Sequence, residues 1–122
     1  MEPIKSSSLF VNGSVWLRAD FHLHTNADKE FKYSGEPQNY VSSYIQRLKD
    51  EDIHVGIITN HNKFDFEEYK TLRMAAKKEN IWLVSGVELS VGDGSNGIHT
   101  LIAFDERNWL TSNENFIEQF LT

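Results

Sequence analysis

The chain has 122 residues, 39% of them hydrophobic, with a formal net charge of -6 and no cysteine. That is enough for one small domain with a core. It excludes disulfides and thiolate metal sites, and it disfavours a passive nucleic-acid binder, because excess carboxylates repel phosphates. No run approaches the roughly 20 apolar residues of a membrane span, and no signal-peptide pattern opens the chain, so a cytoplasmic protein is expected.

Residues 1–14 are polar, with Ser6 to Ser8 and an Asn12-Gly13 turn, and read as a lead-in. The stretch "VWLRADFHLH" then alternates. Val15, Leu17, Ala19, Phe21 and Leu23 share one face; Trp16, Arg18, Asp20, His22 and His24 share the other. A period of two predicts a strand, apolar on one side and ending in two histidines on the other. Residues 25–37 read as a loop punctuated by Gly35 and Pro37. From Asn39 to Asp50, Val41, Tyr44, Ile45 and Leu48 recur at helical spacing.

"HVGIITNHN" predicts a second strand, closing on Asn60-His61-Asn62. "DFEEYKTLRMAAKKEN" is the clearest helix, with Asp65 and Glu68 spaced as a capping box and Lys77 and Lys78 suited to its C-terminal dipole. "IWLVSGVELS" is a third strand, "VGDGSNG" a turn, and "IHTLIAF" a fourth strand. "NENFIEQFLT" starts a helix with Phe116, Ile117 and Phe120 apolar, and the sequence stops inside that pattern. Strands alternating with helices predict an α/β fold built from parallel units.

In such folds, active sites gather at the C-terminal ends of the strands. His22 and His24 fall at that end of the first strand, His61 at that end of the second, and Glu88 near that end of the third. His99 opens the fourth strand, where an antiparallel return would bring it beside Glu88. Without cysteine, a transition-metal site must use histidine and carboxylate. Residues i and i+2 of a strand point the same way, so His22 and His24 can hold one ion from one side. A carboxylate such as Glu88 has two oxygens and can bridge two ions.

Each residue also has a plainer reading. The His-x-His pair could be a solvated strand end, and His61 a turn residue. Glu88 sits in an apolar strand, where an unpaired carboxylate is expensive. An ion pair with Arg18 is its main alternative. His54 precedes the second strand at the opposite end and reads as structural. Tyr69, Leu72 and Ala76 read as core. Asp20 reads as a partner orienting a histidine rather than as a ligand.

Taken together, "DFHLHT", "ITNHN", "GVELS" and "HTLIAF" resemble, in order and spacing, the first motifs of the PHP (polymerase and histidinol phosphatase) domain. The resemblance spans about residues 15–104. Amidohydrolases also begin with His-x-His on a strand, but the Glu of "GVELS" and the early His99 favour PHP. The longer pattern looks most like PHP domains fused to large ATPases resembling chromosome-maintenance proteins.

The resemblance implies a distorted β/α barrel with a trinuclear centre of zinc, manganese or iron that hydrolyses phosphoesters by metal-activated water. It implies that His22, His24 and Glu88 hold a first metal, that Glu88 bridges to a second bound by His99, and that His61 holds a third. A further ligand follows the His-x-His; Glu30 matches best by offset, with Asp28 as the fallback. Asn60 stands where the family usually has Asp, which would alter an orienting contact near His61.

The family's later motifs, a middle histidine and a late Asp-x-His, are missing. Residues 15–122 therefore read as the N-terminal part of a PHP domain, about four strands and two to three helices of a partial barrel. Such a piece is expected to self-associate or to join the remainder of a larger protein, and to show weak or absent catalysis alone. The functional expectation is a metal-dependent phosphoesterase acting on a phosphate ester, with nucleic-acid ends among the substrates. The alternatives are a non-catalytic metal-binding regulatory module and a nuclease module of an ATPase-fused protein.

Overall fold

The computed structural model describes residues 13, 15–91, 97–111 and 114–122. The lead-in expected over 1–14, Gly13 apart, and residues 92–96 of the turn expected over 91–97 lie outside the described residues.

Four strands form one curled sheet in the order β1-β2-β3-β4: β1 (Ala19–Leu23), β2 (Val55–His61), β3 (Trp82–Val91) and β4 (Ile98–Ala103). β1, β2 and β3 run parallel and β4 returns antiparallel to β3. Helices α1 (Tyr40–Asp50) and α2 (Phe66–Lys78) form the crossovers, and two short helices follow β4, α3 (Glu106–Trp109) and α4 (Phe116–Leu121). This is half of a distorted β/α barrel.

α2 forms where its caps and stripe require it. The Asp65 carboxylate accepts from the Glu68 amide at 3.1 Å, and Lys77 and Lys78 occupy the last turn. Only half of the expected capping box forms, because the Glu68 side chain turns instead to Thr25. Tyr69, Leu72 and Ala76 pack with Leu83 and Val87 of β3 in the core. Burying such side chains stabilises the fold by about 1.5–3 kcal/mol each. In the middle of β3, Gly86 has no room for a side chain: a Cβ there would sit 2.6 Å from the Ile102 carbonyl oxygen and 2.9 Å from that of Ile58. That close approach lets β3 pair on both edges while curling.

Two expectations change. β1 is five residues long, shorter than the alternating stretch 15–24. The apolar face of that stretch is not all buried: Val15 is 53% and Phe21 60% exposed, while Leu23 packs against the core. The reason is position, since β1 lies at the sheet edge and pairs on one side only. α3 is not legible in the sequence, because four residues carry no period.

Candidate metal centre

The parallel register places the rim. Ala19 pairs with Val55, and His61 pairs with Glu88, so the strand ends finish side by side. The antiparallel return sets His99 opposite Ser90, two residues beyond Glu88. After His61 the chain turns at Asn62, whose φ of 50° is a left-handed conformation that asparagine tolerates. The Asn62 amide donates to the Glu88 carbonyl at 2.8 Å, and its side-chain oxygen accepts from the Ser90 amide at 3.1 Å. β2 and β3 are thereby locked at their functional ends.

Glu88 is the centre of the cluster. It is 3% exposed, and its ion partners are four histidines. Oε1 lies 2.9 Å from His22 Nε2 and 3.7 Å from His99 Nδ1. Oε2 lies 3.9 Å from His24 Nε2 and directly against His61 Nε2. The expected alternative, a Glu88–Arg18 ion pair, is not what satisfies this carboxylate. Arg18 stands at the other end of β1, where its amide donates to His54 Nδ1 at 3.0 Å. His54 thus serves the strand's start, in keeping with its structural reading.

The loop after β1 supplies the rest. Asp28 is 2% exposed; its Oδ1 accepts from the Glu30 amide at 2.9 Å, while Oδ2 accepts from the His61 amide at 2.7 Å and meets the His61 Nδ1 at 2.8 Å. Burial pushes the Asp28 carboxyl up, but the Glu30 and His61 amides and the His61 and His24 rings pull it down to about 2. Glu30 stands further out, 3.9 Å from His61 Nδ1 with its side chain 65% exposed. Between the two carboxylates weighed from sequence, Asp28 is the one that holds the His61 ring, and Glu30 is within reach of the same place.

The ligand-type atoms form three overlapping groups, each within 4.8 Å: His22, His24 and Glu88; His61, Glu88 and His99; and His24, Asp28, Glu30 and His61. Two observations fit these groups to cations. His61 Nδ1 is committed to the ionised Asp28, so a neutral His61 turns the lone pair of Nε2 toward Glu88 Oε2. Glu88 Oε2 is buried without a hydrogen-bond partner, a costly state that a bound cation relieves. His22 Nε2 and His24 Nε2 also converge, 3.1 Å apart.

The expectation for Asp20 is an oriented histidine ring, and for Asn60 an altered contact near His61. Asp20 Oδ1 accepts from the His22 backbone amide at 2.9 Å, so it fixes the strand and orients no ring. Asn60 bonds Thr25 twice rather than touching His61, with Oδ1 2.9 Å from the Thr25 amide and Nδ2 2.8 Å from its hydroxyl. Tyr44, not singled out from sequence, donates its hydroxyl to the His24 carbonyl at 2.8 Å. Its helical spacing marks it as core, and nothing in that spacing distinguishes a packing tyrosine from one that also anchors a ligand loop.

No sequence-family profile matches the chain, and no curated protein matches it. In structure it is similar to a protein from Bifidobacterium adolescentis ATCC 15703 assigned as a metal-dependent phosphoesterase, with a TM-score of 0.55 and 16% identity. The match covers 77% of this chain and 30% of the other, so the chain spans about a third of that protein's length. The likeness establishes a shared fold, the partial β/α barrel that the motifs led one to expect. Among the described residues, no helix is long and apolar enough to cross a membrane.

Proposed function

We propose that this chain supplies a divalent-metal rim of a PHP-type phosphoesterase, which hydrolyses phosphate esters. One observation carries the reading: the three donor groups, from four strands and one loop, overlap pairwise through Glu88, His61 and His24. His22, His24 and Glu88 would hold one ion and Glu88, His99 and the Nε2 of His61 a second, while Asp28 and Glu30 stand at the other nitrogen of His61 in the third group, which reuses the same two histidines. Zinc, manganese and iron all suit this set of imidazoles and carboxylates. Cations bound there would polarise the ester and lower the pKa of water. The chain's own residues do the positioning. Asp28 holds the proton of His61 on Nδ1 and leaves Nε2 free to coordinate, a task typical of carboxylates behind metal-binding histidines. Glu88 presents one oxygen to His22 and His99 and the other to His24 and His61.

Trp16, just before β1, is 94% exposed, and the sheet's outer strands leave Phe21 60%, Ile98 61% and Leu101 42% exposed. Unpaired edges and apolar surface of this kind invite pairing. A second copy or the remainder of a larger protein covers them in the working assembly.

The test is metal stoichiometry and aryl-phosphate turnover, for the chain and for His22→Ala/His24→Ala. Saturating manganese or zinc with weak chelator-sensitive turnover is expected, and the double variant should lose tight metal binding while staying folded. Metal bound without turnover would instead support the regulatory reading. No metal in a folded chain would remove the proposal.

A further inference from the structure

Behind the rim lies a polar chain that no metal role absorbs. Thr25 is fully buried, immediately after His24, and every polar atom it has is engaged. Its amide donates to Asn60 Oδ1, and its carbonyl accepts from the Asp28 amide at 2.9 Å. Its hydroxyl oxygen faces Asn60 Nδ2 at 2.8 Å, the Ala27 amide at 3.4 Å and Glu68 Oε1.

A hydroxyl has one proton and two lone pairs. Asn60 Nδ2 and the Ala27 amide can only donate, so they take both lone pairs. The Tyr40 hydroxyl also neighbours Thr25 and Glu68, but it already accepts from the Asn26 amide at 3.0 Å, and the single Thr25 proton goes to the carboxylate, Glu68 Oε1. The amide of Asn60 cannot flip either, because its oxygen is held by the Thr25 backbone N–H, which can only donate. The direction is therefore fixed: Asn60 Nδ2 to Thr25 Oγ1 to Glu68 Oε1.

We infer that Asn60, Thr25 and Glu68 form a one-way hydrogen-bond relay that positions Asp28, and through it His61, for metal; this rests on the metal reading above. Asn60 and Glu68 are positioning residues. Thr25 ties the loop to β2 through Asn60 and to the first turn of α2 through Glu68. Its carbonyl sets the Asp28 amide, and Asp28 in turn grips the amide and ring of His61.

The relay makes a prediction opposite in sign to simple electrostatics. Asn60→Asp adds a carboxylate next to a metal-binding histidine, and by charge alone it should tighten cation binding. In the relay it does the reverse. Two carboxylate oxygens then compete for the one Thr25 proton, and the loser faces a buried lone pair. Adding Glu68→Gln supplies a donor at the far end. The chain can then run backward, from the introduced amide through Thr25 to the introduced carboxylate.

The experiment titrates manganese alone into the full chain, into Asn60→Asp, and into Asn60→Asp/Glu68→Gln. In parallel, hydrogen exchange of the His61 amide is read in the metal-free proteins. The single variant should bind manganese about 10- to 100-fold more weakly, the range for lost partners behind metal ligands. Its His61 amide should exchange at least about tenfold faster, since the bond to Asp28 loosens. The double variant should recover both to within about threefold of the parent. Unchanged or tighter manganese binding in Asn60→Asp, or no recovery in the double variant, overturns the relay. If Asn60→Asp fails to fold, a double variant that folds supports the relay, and one that does not overturns it. If the parent binds no manganese, the metal reading falls and the exchange rates alone decide: faster exchange reversed by Glu68→Gln upholds the relay, and unchanged exchange rejects it.

Discussion

Asp28→Asn tests the second linchpin of the rim without any metal present. In the wild type, Oδ2 serves both the amide and the ring of His61, and Oδ1 serves the Glu30 amide. Asparagine keeps one oxygen; its NH2 group must face a donor on one side or the other. The Asp28 carboxyl is held down from 3.8 to about 2. At 1.36 kcal/mol per unit, that is roughly 2.5 kcal/mol of folding free energy. The sign follows from the depressed pKa. The contribution is fully present above the unfolded value near 3.8 and is lost as pH falls through about 2. The amide of the variant has no such titration. In chelator, urea melts near pH 7 should show Asp28→Asn destabilised by about 2–4 kcal/mol, the upper part arising from the donor left facing a donor. The gap should shrink to the mispairing cost alone as the wild type is protonated between about pH 4 and about pH 2. A gap that stays constant across that window would falsify the claim that an ionised, hydrogen-bonded Asp28 holds His61. So would a gap under about 0.5 kcal/mol at pH 7, the size of an ordinary surface change.

Glu88→Gln should lose more than one equivalent of metal by elemental analysis, because the amide loses the charge and one of two acceptors shared between groups; loss of stability with metal content intact would show that Glu88 is structural. His54→Ala should cost about 1 kcal/mol in a urea melt through the bond from the Arg18 amide, yet leave manganese affinity unchanged; a changed affinity would place His54 in the site after all. Light scattering should show a mass above that of one chain, and Phe21→Lys on the exposed edge should reduce it. A monodisperse monomer would show that these edges need no cover.

Much of this arrangement is legible in the sequence, because strands are simple to count. A period of two places His22 and His24 on one face, and parallel strands of similar length put His61 and Glu88 at one end. The antiparallel return to His99 follows from the short glycine-rich segment before it. The loop between β1 and α1 is different. It has no period, so offset alone cannot show that Asp28 is buried against His61 while Glu30 stands mostly exposed beside it. The Thr25–Glu68 bond joins residues 43 apart, and no local pattern announces it. Glu68 is legible only as a helix cap, since its spacing from Asp65 satisfies the capping rule as well as the relay does. The exposure of Phe21 escapes the sequence for a related reason: alternation shows which residues share a face, but not whether anything packs on it.

Protons and cations compete for the same atoms at this rim, and the competition fixes how the chain responds to pH. Burial pushes the His61 imidazolium down, but the bond and charge of Asp28, followed by the charges of Glu88 and Glu30, overcome it and raise its pKa above 6.5. Protonated His61 can donate from both nitrogens, to Asp28 and to Glu88, and so supplies the positive charge that the two buried carboxylates need. For a raised pKa the stabilisation is complete below the unfolded value near 6.5 and is lost as pH rises through the folded one. A chelated chain should therefore melt at lower temperature as pH climbs from below about 6.5 to above the raised value. With manganese the slope should reverse, because deprotonation frees His61 Nε2 for coordination. Thermal melts across that range, with and without metal, read both slopes. Parallel slopes would mean that the cation binds elsewhere, since only a cation taking the proton's place at His61 exchanges one dependence for the other.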